Sequence, residues 1–181
     1  MLDKLNLPEI VETKDCVAVR RIHKYNKEMF EAVDKNRNFL REYLFWVDGT
    51  NALEDVEKTT DFFISQWDEG INYAYIITDK NDKLLGMIDL HAVDYKNRNA
   101  EFGYWLSQNV NGKGYISQIL QALEKLAFEQ GLVRIYIRCD VANTSSNNVC
   151  IRNGYEFEGC MKKLLNTYGE FHDCNIYAKT I

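Results

Sequence analysis

Residues 111–131 combine a glycine-rich turn with the clearest helical pattern in the chain. From Ile116 onwards the apolar residues recur every three or four positions, which is typical of a helix with one buried face, and Gly131 marks its end. A strand pattern over residues 99–107 precedes the turn. Glycines let backbone N–H groups converge, and a helix N-terminus carries partial positive charge. The pattern predicts an anion site suited to a pyrophosphate, although an ordinary strand-to-helix turn would use the same glycines.

Two common nucleotide-binding motifs are excluded at this turn. A P-loop needs Ser or Thr directly after Gly-Lys, but here Lys113 is followed by Gly114. A dinucleotide fingerprint needs a third glycine and an early βαβ unit, and the sequence has neither. An anion site at this turn would therefore bind a nucleotide-containing ligand of a class that neither of these two motifs recognises.

The rest of the chain alternates between strand and helix patterns. Strand patterns cover residues 17–22, 72–78, 84–93, 99–107, 134–141, 156–164 and 171–179. Helical patterns cover residues 27–44 in two pieces, 55–67, and 146–153 before Gly154. This order predicts an α/β fold around one sheet of about seven strands. Because Pro8 is the only proline and no segment resembles a linker, residues 1–181 are expected to form a single domain.

Composition excludes several classes of function. The chain has 22 basic and 27 acidic residues without a basic block, so we expect no nucleic-acid partner. Its five cysteines are odd in number and none are spaced as Cys-x-x-Cys, so we expect neither a disulfide framework nor a metal site. No stretch approaches the ~18 apolar residues that cross a bilayer, and no signal peptide is recognisable. We therefore expect a cytoplasmic protein without a membrane partner.

Two ordered segments resemble the GNAT superfamily of N-acetyltransferases. Residues 100–106 followed by 111–116 are similar to its motif A, with Gly114 at the central glycine, Asn111 in place of Gln or Arg, and Ile116 in place of a small residue. Residues 143–149, 152–155 and 158–159 are similar to motif B of the branch that acetylates ribosomal-protein N-termini, and residues 168–173 resemble its closing hairpin. The resemblance implies a mixed, mostly antiparallel sheet with flanking helices and acetyl-CoA as co-substrate.

The same resemblance implies a set of binding residues. A backbone donor for the oxyanion would come from a splayed strand, the pyrophosphate would lie on the glycine turn, and an asparagine would bind the pantetheine arm. In this chain the cofactor-binding residues would be Tyr104, Trp105, Leu106, Asn111, Gly112, Lys113, Gly114, Tyr115, Ile116, Ser117, Asn143 and Ser146. For Asn143, an Asx-turn that ends a strand is the alternative.

Two residues are candidates for acid–base catalysis. Glu101 lies on the strand before the glycine turn, where it would relay a proton from the amine, but it could equally be paired with a lysine or arginine. Ser146 would give a proton to the leaving thiolate, but a serine at a helix start is often only its N-cap. The resemblance departs at Cys150, where many relatives carry a tyrosine, and at Leu165, where the branch can carry a glutamate. His172 and Asp173 are adjacent, so on a strand they would face opposite sides and form no dyad.

These observations predict transfer of an acetyl group from acetyl-CoA to a primary amine. A protein N-terminus, such as that of a ribosomal protein, is the first choice because an α-amine has a pKa near ~8 and needs only a modest base. A polyamine or antibiotic amine is the alternative acceptor. The alternative that is not an enzyme is a catalytically idle acyl-CoA-binding module. The oligomeric state is not determined by the sequence, and a homodimer is possible.

Overall fold

The computed structural model describes residues 2–181, and its strands form one sheet. The strands are β1 (Ile10–Glu12), β2 (Cys16–Arg20), β3 (Tyr73–Asp79), β4 (Leu84–Asp94), β5 (Asn99–Leu106), β6 (Arg134–Asp140), β7 (Glu156–Thr167) and β8 (Glu170–Thr180). The helices are α1 (Asn26–Lys35), α2 (Arg37–Leu40), α3 (Leu53–Glu69), α4 (Tyr115–Glu129) and α5 (Thr144–Arg152).

The eight strands lie in the order β1-β2-β3-β4-β5-β6-β8-β7. Neighbours are antiparallel except β5 and β6, which run parallel. The α/β fold, the single mixed sheet and its mostly antiparallel character are therefore confirmed. The count is one higher than about seven because β1 is a strand of three residues that pairs with β2, and so short a segment has no readable alternation.

The two faces of the sheet bury separate apolar clusters. On one face α4 packs Ile119, Leu120 and Leu123 against residues that include Phe102 of β5. On the other face α1 and α3 pack residues that include Val33 against Trp105 of the same strand. Alternation along β5 explains this, since Phe102 and Trp105 are an odd number of positions apart and point to opposite sides.

Several element boundaries differ from the sequence prediction. Helix α4 begins at Tyr115, one residue early, and α3 begins at Leu53 because the Asp55 carboxylate accepts the N–H groups of Asn51 and Ala52 (both 2.9 Å). Helix α5 begins at Thr144 rather than at residue 146. The predicted helical region 27–44 divides into α1, α2 and a following turn. Among residues 2–181, no helix combines the length and the apolar content that crossing a bilayer would require.

Strands β5 and β6 separate soon after they pair. Their ladder extends only from Asn99–Arg134 to Glu101–Tyr136. Beyond that point β5 continues to Leu106 and β6 to Asp140 without hydrogen bonds between them. This divergence opens a V-shaped gap in the middle of the sheet, and the candidate site lies there.

Candidate active site

A cavity of about 280 Å³ lies at the open end of the gap between β5 and β6. Its walls come from the end of β5, the glycine turn, the start of α5 and the segment around α2. Of the predicted cofactor residues, those that line it are Tyr104, Trp105, Leu106, Asn111, Gly112, Gly114, Tyr115, Ile116, Ser117, Asn143 and Ser146. Lys113 is exposed and lies outside the lining, and so does the buried Glu101.

Unpaired backbone N–H groups of strand β5 point into the gap. The N–H of Ser107 donates to the carbonyl oxygen of Leu85 on the β4 side (2.9 Å). Because N–H groups alternate sides along a strand, those of Leu106 and Tyr104 point away from β4 and into the gap. A carbonyl oxygen that develops negative charge there would meet unpaired N–H donors, which is the requirement for an oxyanion hole.

The glycine turn leaves the N-terminus of α4 uncapped. Gly112 and Gly114 have φ of 77° and 80°, a region that side chains rarely adopt, so the turn needs glycine at both positions. Gly114 is the N-cap and supplies no capping side chain. The N–H groups of the first turn of α4 are therefore free to bind an anion at the edge of the cavity.

Asn143 and Ser146 lie at the start of α5, on the opposite wall. Asn143, rather than Ser146, is the N-cap, and its Oδ1 accepts the N–H of Ser146 (3.0 Å). This bond leaves the Asn143 amide N–H₂ unused at the cavity wall. The Ser146 hydroxyl is 3.0 Å from the Tyr104 hydroxyl, and burial raises the pKa of Tyr104 well above its ordinary value. Tyr104 therefore stays protonated, so its hydroxyl is a hydrogen-bonding group beside Ser146, whereas the sequence predicted only a backbone role for this residue.

Glu101 lies in an ion cluster on the face that α1 and α3 cover in part. Both of its carboxylate oxygens accept from Arg138 Nε (2.9 and 3.0 Å), and His91 Nε2 approaches to 3.6 Å. Burial raises the pKa of Glu101, but His91 and Arg138 outweigh burial and hold that pKa below its ordinary value. Such a carboxylate is a weak base, so the contacts favour the ion-pair alternative. The base role of Glu101 stays a prediction, as does the donor role of Ser146.

Two contacts of this face were not predicted from the sequence. His91 faces Glu101 directly across the β4–β5 ladder. The only hint of this in the sequence is that Asp89 and His91 are two positions apart on a strand and therefore share one face of the sheet. His172 does not pair with Asp173, in agreement with the sequence analysis, but its Nδ1 lies 2.7 Å from Oδ2 of Asp140 on β6. Asp140 is 32 positions away, so no local pattern could reveal this pair.

The two departures from the family pattern are also visible in the structure. Cys150 is fully buried among the apolar residues of the α4 face, as expected for a small core residue. Leu165 on β7 lies directly opposite His172 on β8. Within residues 2–181, His, Cys, Asp and Glu side chains form no group of three or more that could hold a metal ion.

Comparison with known proteins agrees with this geometry. The sequence matches the family described as Acetyltransferase (GNAT) domain over residues 17–156. It is 34% identical to the ribosomal-protein-serine acetyltransferase of Escherichia coli (strain K12) over 174 residues, which cover 96% of both proteins. It is 29% identical to a putative ribosomal N-acetyltransferase of Bacillus subtilis (strain 168) over 175 residues, 92% of both.

Solved structures show the same relationship. A ribosomal L7/L12 α-N-protein acetyltransferase in complex with coenzyme A has a TM-score of 0.91 at 31% identity, over 96% of this chain and 98% of that one. A microcin C7 self-immunity acetyltransferase in complex with acetyl-CoA and AMP has a TM-score of 0.91 at 26% identity, over 97% and 98%. The chain therefore belongs to the GNAT acetyltransferase family and is an acetyl-CoA-dependent N-acetyltransferase.

Proposed function

We propose that this enzyme acetylates the N-terminal α-amine of a protein, with a ribosomal protein as the first candidate. One observation carries the proposal: a second, open cleft of about 530 Å³ lies beside the cavity. The segment after α2 and the β7–β8 turn form its two walls, through Arg41, Glu42, Thr167, Tyr168 and Glu170. An open, polar cleft of this kind suits the end of an extended polypeptide chain. A small amine would fit better in an enclosed pocket.

The cofactor side of the proposal rests on the cavity. Acetyl-CoA would place its pyrophosphate on residues 112–117, because that turn and the start of α4 leave N–H groups unpaired. The pantetheine arm would run along Asn143, and the thioester would enter the gap between β5 and β6. The free N–H groups of Tyr104 and Leu106 would then receive the thioester oxygen.

The similarity to ribosomal-protein acetyltransferases supports the choice of acceptor. It extends along 96% of this chain and 96% of the Escherichia coli protein, so the acceptor cleft is included as well as the cofactor motifs. An α-amine also suits the chemistry, because its pKa of ~8 leaves part of it neutral at pH 7, whereas a lysine at ~10.4 is almost wholly charged. We place this activity in the cytoplasm, where ribosomal proteins are made.

The test compares three acceptors with the purified enzyme and acetyl-CoA. A peptide with a free N-terminal serine should be acetylated, whereas the same peptide with a blocked N-terminus and an internal lysine should not, and spermidine should react poorly. Mass spectrometry locates the added group. Preference for spermidine would support the small-molecule alternative, and no transfer to any amine would support the idle acyl-CoA-binding module.

Two variants separate cofactor binding from general damage. Gly114→Glu places a carboxylate at the pyrophosphate site and should abolish binding of CoA in calorimetry. Gly169→Glu adds the same charge at an exposed glycine that also has a positive φ (87°) and nothing within 4 Å, and it should bind CoA normally. Unchanged affinity in a folded Gly114→Glu variant would refute the assignment of the site.

A comparison of ribosomal proteins from cells with and without the gene then identifies the acceptor by a mass difference of one acetyl group.

A further inference from the structure

One histidine on the acceptor side has a geometry that the chemistry above leaves unused. His172 lies on β8 at the edge of the open cleft, and its side chain is 32% exposed. Its Nδ1 is 2.7 Å from Oδ2 of Asp140, a carboxylate that is only 6% exposed. Strand pairing makes the contact, because Asp140 is directly opposite Cys174, two positions from His172 on the same face of β8.

The Asp140 carboxylate favours the tautomer of His172 that carries its proton on Nδ1. Its Oδ1 accepts the N–H of Ala142 (2.7 Å), so the side chain is held in place at the end of β6. Its Oδ2 lies 2.7 Å from Nδ1 of His172, and a carboxylate oxygen can only accept, so this close contact favours a proton on Nδ1. In neutral His172 the lone pair is then on Nε2. The nearest acidic atom to Nε2 is Oε2 of Glu170 at 3.9 Å, on a side chain that is 86% exposed and leaves Nε2 accessible.

One segment, residues 38–44, lines both the cavity and the cleft and forms a wall between them. Phe39, Leu40, Tyr43 and Leu44 face the cavity, whereas Asn38, Arg41 and Glu42 face the cleft. On the other side of the wall, Asp140 is only three residues from Asn143, which lines the cavity. The Tyr43 hydroxyl donates to the carbonyl oxygen of Ala142 (3.3 Å) and links the two sides. For His172 to act on it, an amine would enter from the cleft and pass this wall beside the Asp140–His172 pair on its way to the thioester.

The charges around His172 favour a cationic acceptor. Asp140 on β6, Glu170 on β8 and Glu42 after α2 are negative. Arg41 is the positive residue of the cleft lining, but Asp48 neutralises it through two bonds of 3.1 and 2.8 Å, and its guanidinium lies over the Tyr168 ring. Burial raises the pKa of Tyr43 to about 12, helped by Glu42 and Asp140, so Tyr43 stays neutral. The cleft lining therefore has one more acidic than basic residue, not counting His172, which favours an ammonium group.

Neither other candidate offers a free basic atom on this side. The Glu101 oxygens are both occupied by Arg138, and Leu165, directly opposite His172, has no titratable group. We propose that His172, oriented by Asp140, is the general base for the acceptor amine. This role rests on the proposed function, since it needs an amine acceptor in the cleft.

The proton and bond changes balance with the groups in place. Nε2 of His172 accepts one proton from the acceptor ammonium and releases it to water through the open cleft. The neutral nitrogen attacks the thioester carbonyl carbon, so a C–N bond forms and the C–S bond breaks. The second proton of the nitrogen goes to the departing thiolate, which leaves as CoA thiol. Asp140 only positions His172, since it touches no reacting atom.

The test measures kcat/KM for the N-terminal peptide from pH 6 to 9.5 in matched variants. His172→Gln should lose about 10²–10³-fold near pH 7, within the usual range for general-base catalysis. The loss should shrink above pH ~8, where the α-amine deprotonates unaided. His23→Gln is the control, because His23 also pairs with a carboxylate, Asp61 at 2.9 Å, but lies before α1 and outside the cleft. It should retain full activity.

Two further measurements distinguish a base from a structural residue. Imidazole added to His172→Ala should restore part of the rate, and Asp140→Asn, which keeps an oxygen for Ala142, should lower kcat without changing KM for acetyl-CoA. Ser146→Ala should behave differently, with a loss that persists at high pH. The base role is overturned if His172→Gln keeps its rate while Glu101→Gln shows the pH-dependent loss, or if the His172→Gln loss is independent of pH and imidazole. Failure of the wild-type enzyme to acetylate any amine would instead overturn the proposed function, and the base role with it.

Discussion

At the scale of single residues, four charged side chains meet on one face of the sheet. Arg138 binds Glu101, His91 lies beside Glu101, and His91 Nδ1 is 2.9 Å from Asp89 Oδ2, although not in line for a hydrogen bond. Gly103 leaves room for them, since a Cβ there would lie 3.0 Å from Asp89 Oδ1. Burial lowers the pKa of His91, but Asp89 and Glu101 outweigh burial and raise it to about 9. The cluster therefore contains a histidine that is charged at neutral pH.

This cluster predicts how stability depends on pH. The pKa of His91 is about 9 in the folded protein and near its ordinary 6.5 in the unfolded chain. A raised pKa stabilises the fold fully below pH 6.5, and the contribution is lost as pH rises through 9. His91→Gln removes this term, so its Tm should fall less than that of the wild type between pH 6.5 and 9. Thermal unfolding followed by circular dichroism across this range is the measurement.

The matched control for that experiment is His23→Gln. His23 also pairs with a carboxylate, but its side chain is 53% exposed and solvent screens the pair. This variant should keep the wild-type slope of Tm against pH. A His91→Gln variant with the same slope as the wild type would contradict the assignment of the pH dependence to the cluster.

At the scale of elements, the start of α5 has a structural role and a proposed binding role. The sequence analysis offered an Asx-turn and a pantetheine contact as alternatives for Asn143. In the structure its Oδ1 caps α5 through Ser146 N–H, while its amide N–H₂ remains available at the cavity wall. One side chain can therefore serve the helix with its oxygen and the cofactor with its nitrogen.

Two substitutions at Asn143 separate those roles. Asn143→Asp keeps a capping oxygen but removes the amide donor, so it should keep its Tm and bind CoA about 1–2 kcal/mol more weakly, the scale of one buried hydrogen bond. Asn143→Ala removes both groups, so it should also lose about 1 kcal/mol of stability. Calorimetry with CoA and thermal unfolding give the two readouts. Wild-type affinity in both variants would leave Asn143 as a cap only.

At the scale of the whole molecule, one sheet joins two apolar clusters. Strands β3, β4 and β5 each contribute side chains to both faces, as with Tyr75 on the α4 side and Ile76 on the other. Neither cluster can lose its strands without exposing the other. We therefore expect residues 1–181 to unfold in one cooperative transition, as a single domain would.

Tryptophan positions allow this expectation to be tested. Trp67 belongs to the α4-side cluster, whereas Trp105 belongs to the opposite cluster and Trp46 packs against that cluster. Trp67→Phe leaves probes on one side, and the double variant Trp46→Phe/Trp105→Phe leaves a probe on the other. In each variant the fluorescence midpoint in urea should coincide with the midpoint from circular dichroism. Two separate midpoints in either variant would show that the clusters unfold independently.

The sequence by itself determined the elements and the glycine turn before α4. Helical and strand periodicities depend on local spacing, so the main helices and seven of the strands could be read directly, with errors of a few residues at their ends. The glycine turn before α4 was also readable, because positive φ at Gly112 and Gly114 is a local backbone requirement. The three-residue strand β1 was not, since its pairing with β2 rather than its own residues defines it.

Only the tertiary structure decided which polar groups meet. His172 reaches Asp140 because β8 pairs with β6, and Glu101 reaches Arg138 because β5 runs beside β6 at the point where the two strands separate. These partners are 32 and 37 positions apart, and their proximity depends on strand order and register. A charged partner changes the pKa of a side chain only at short range, as, despite burial, His91 and Arg138 lower that of Glu101, so the weak basicity of Glu101 could not be read from the sequence.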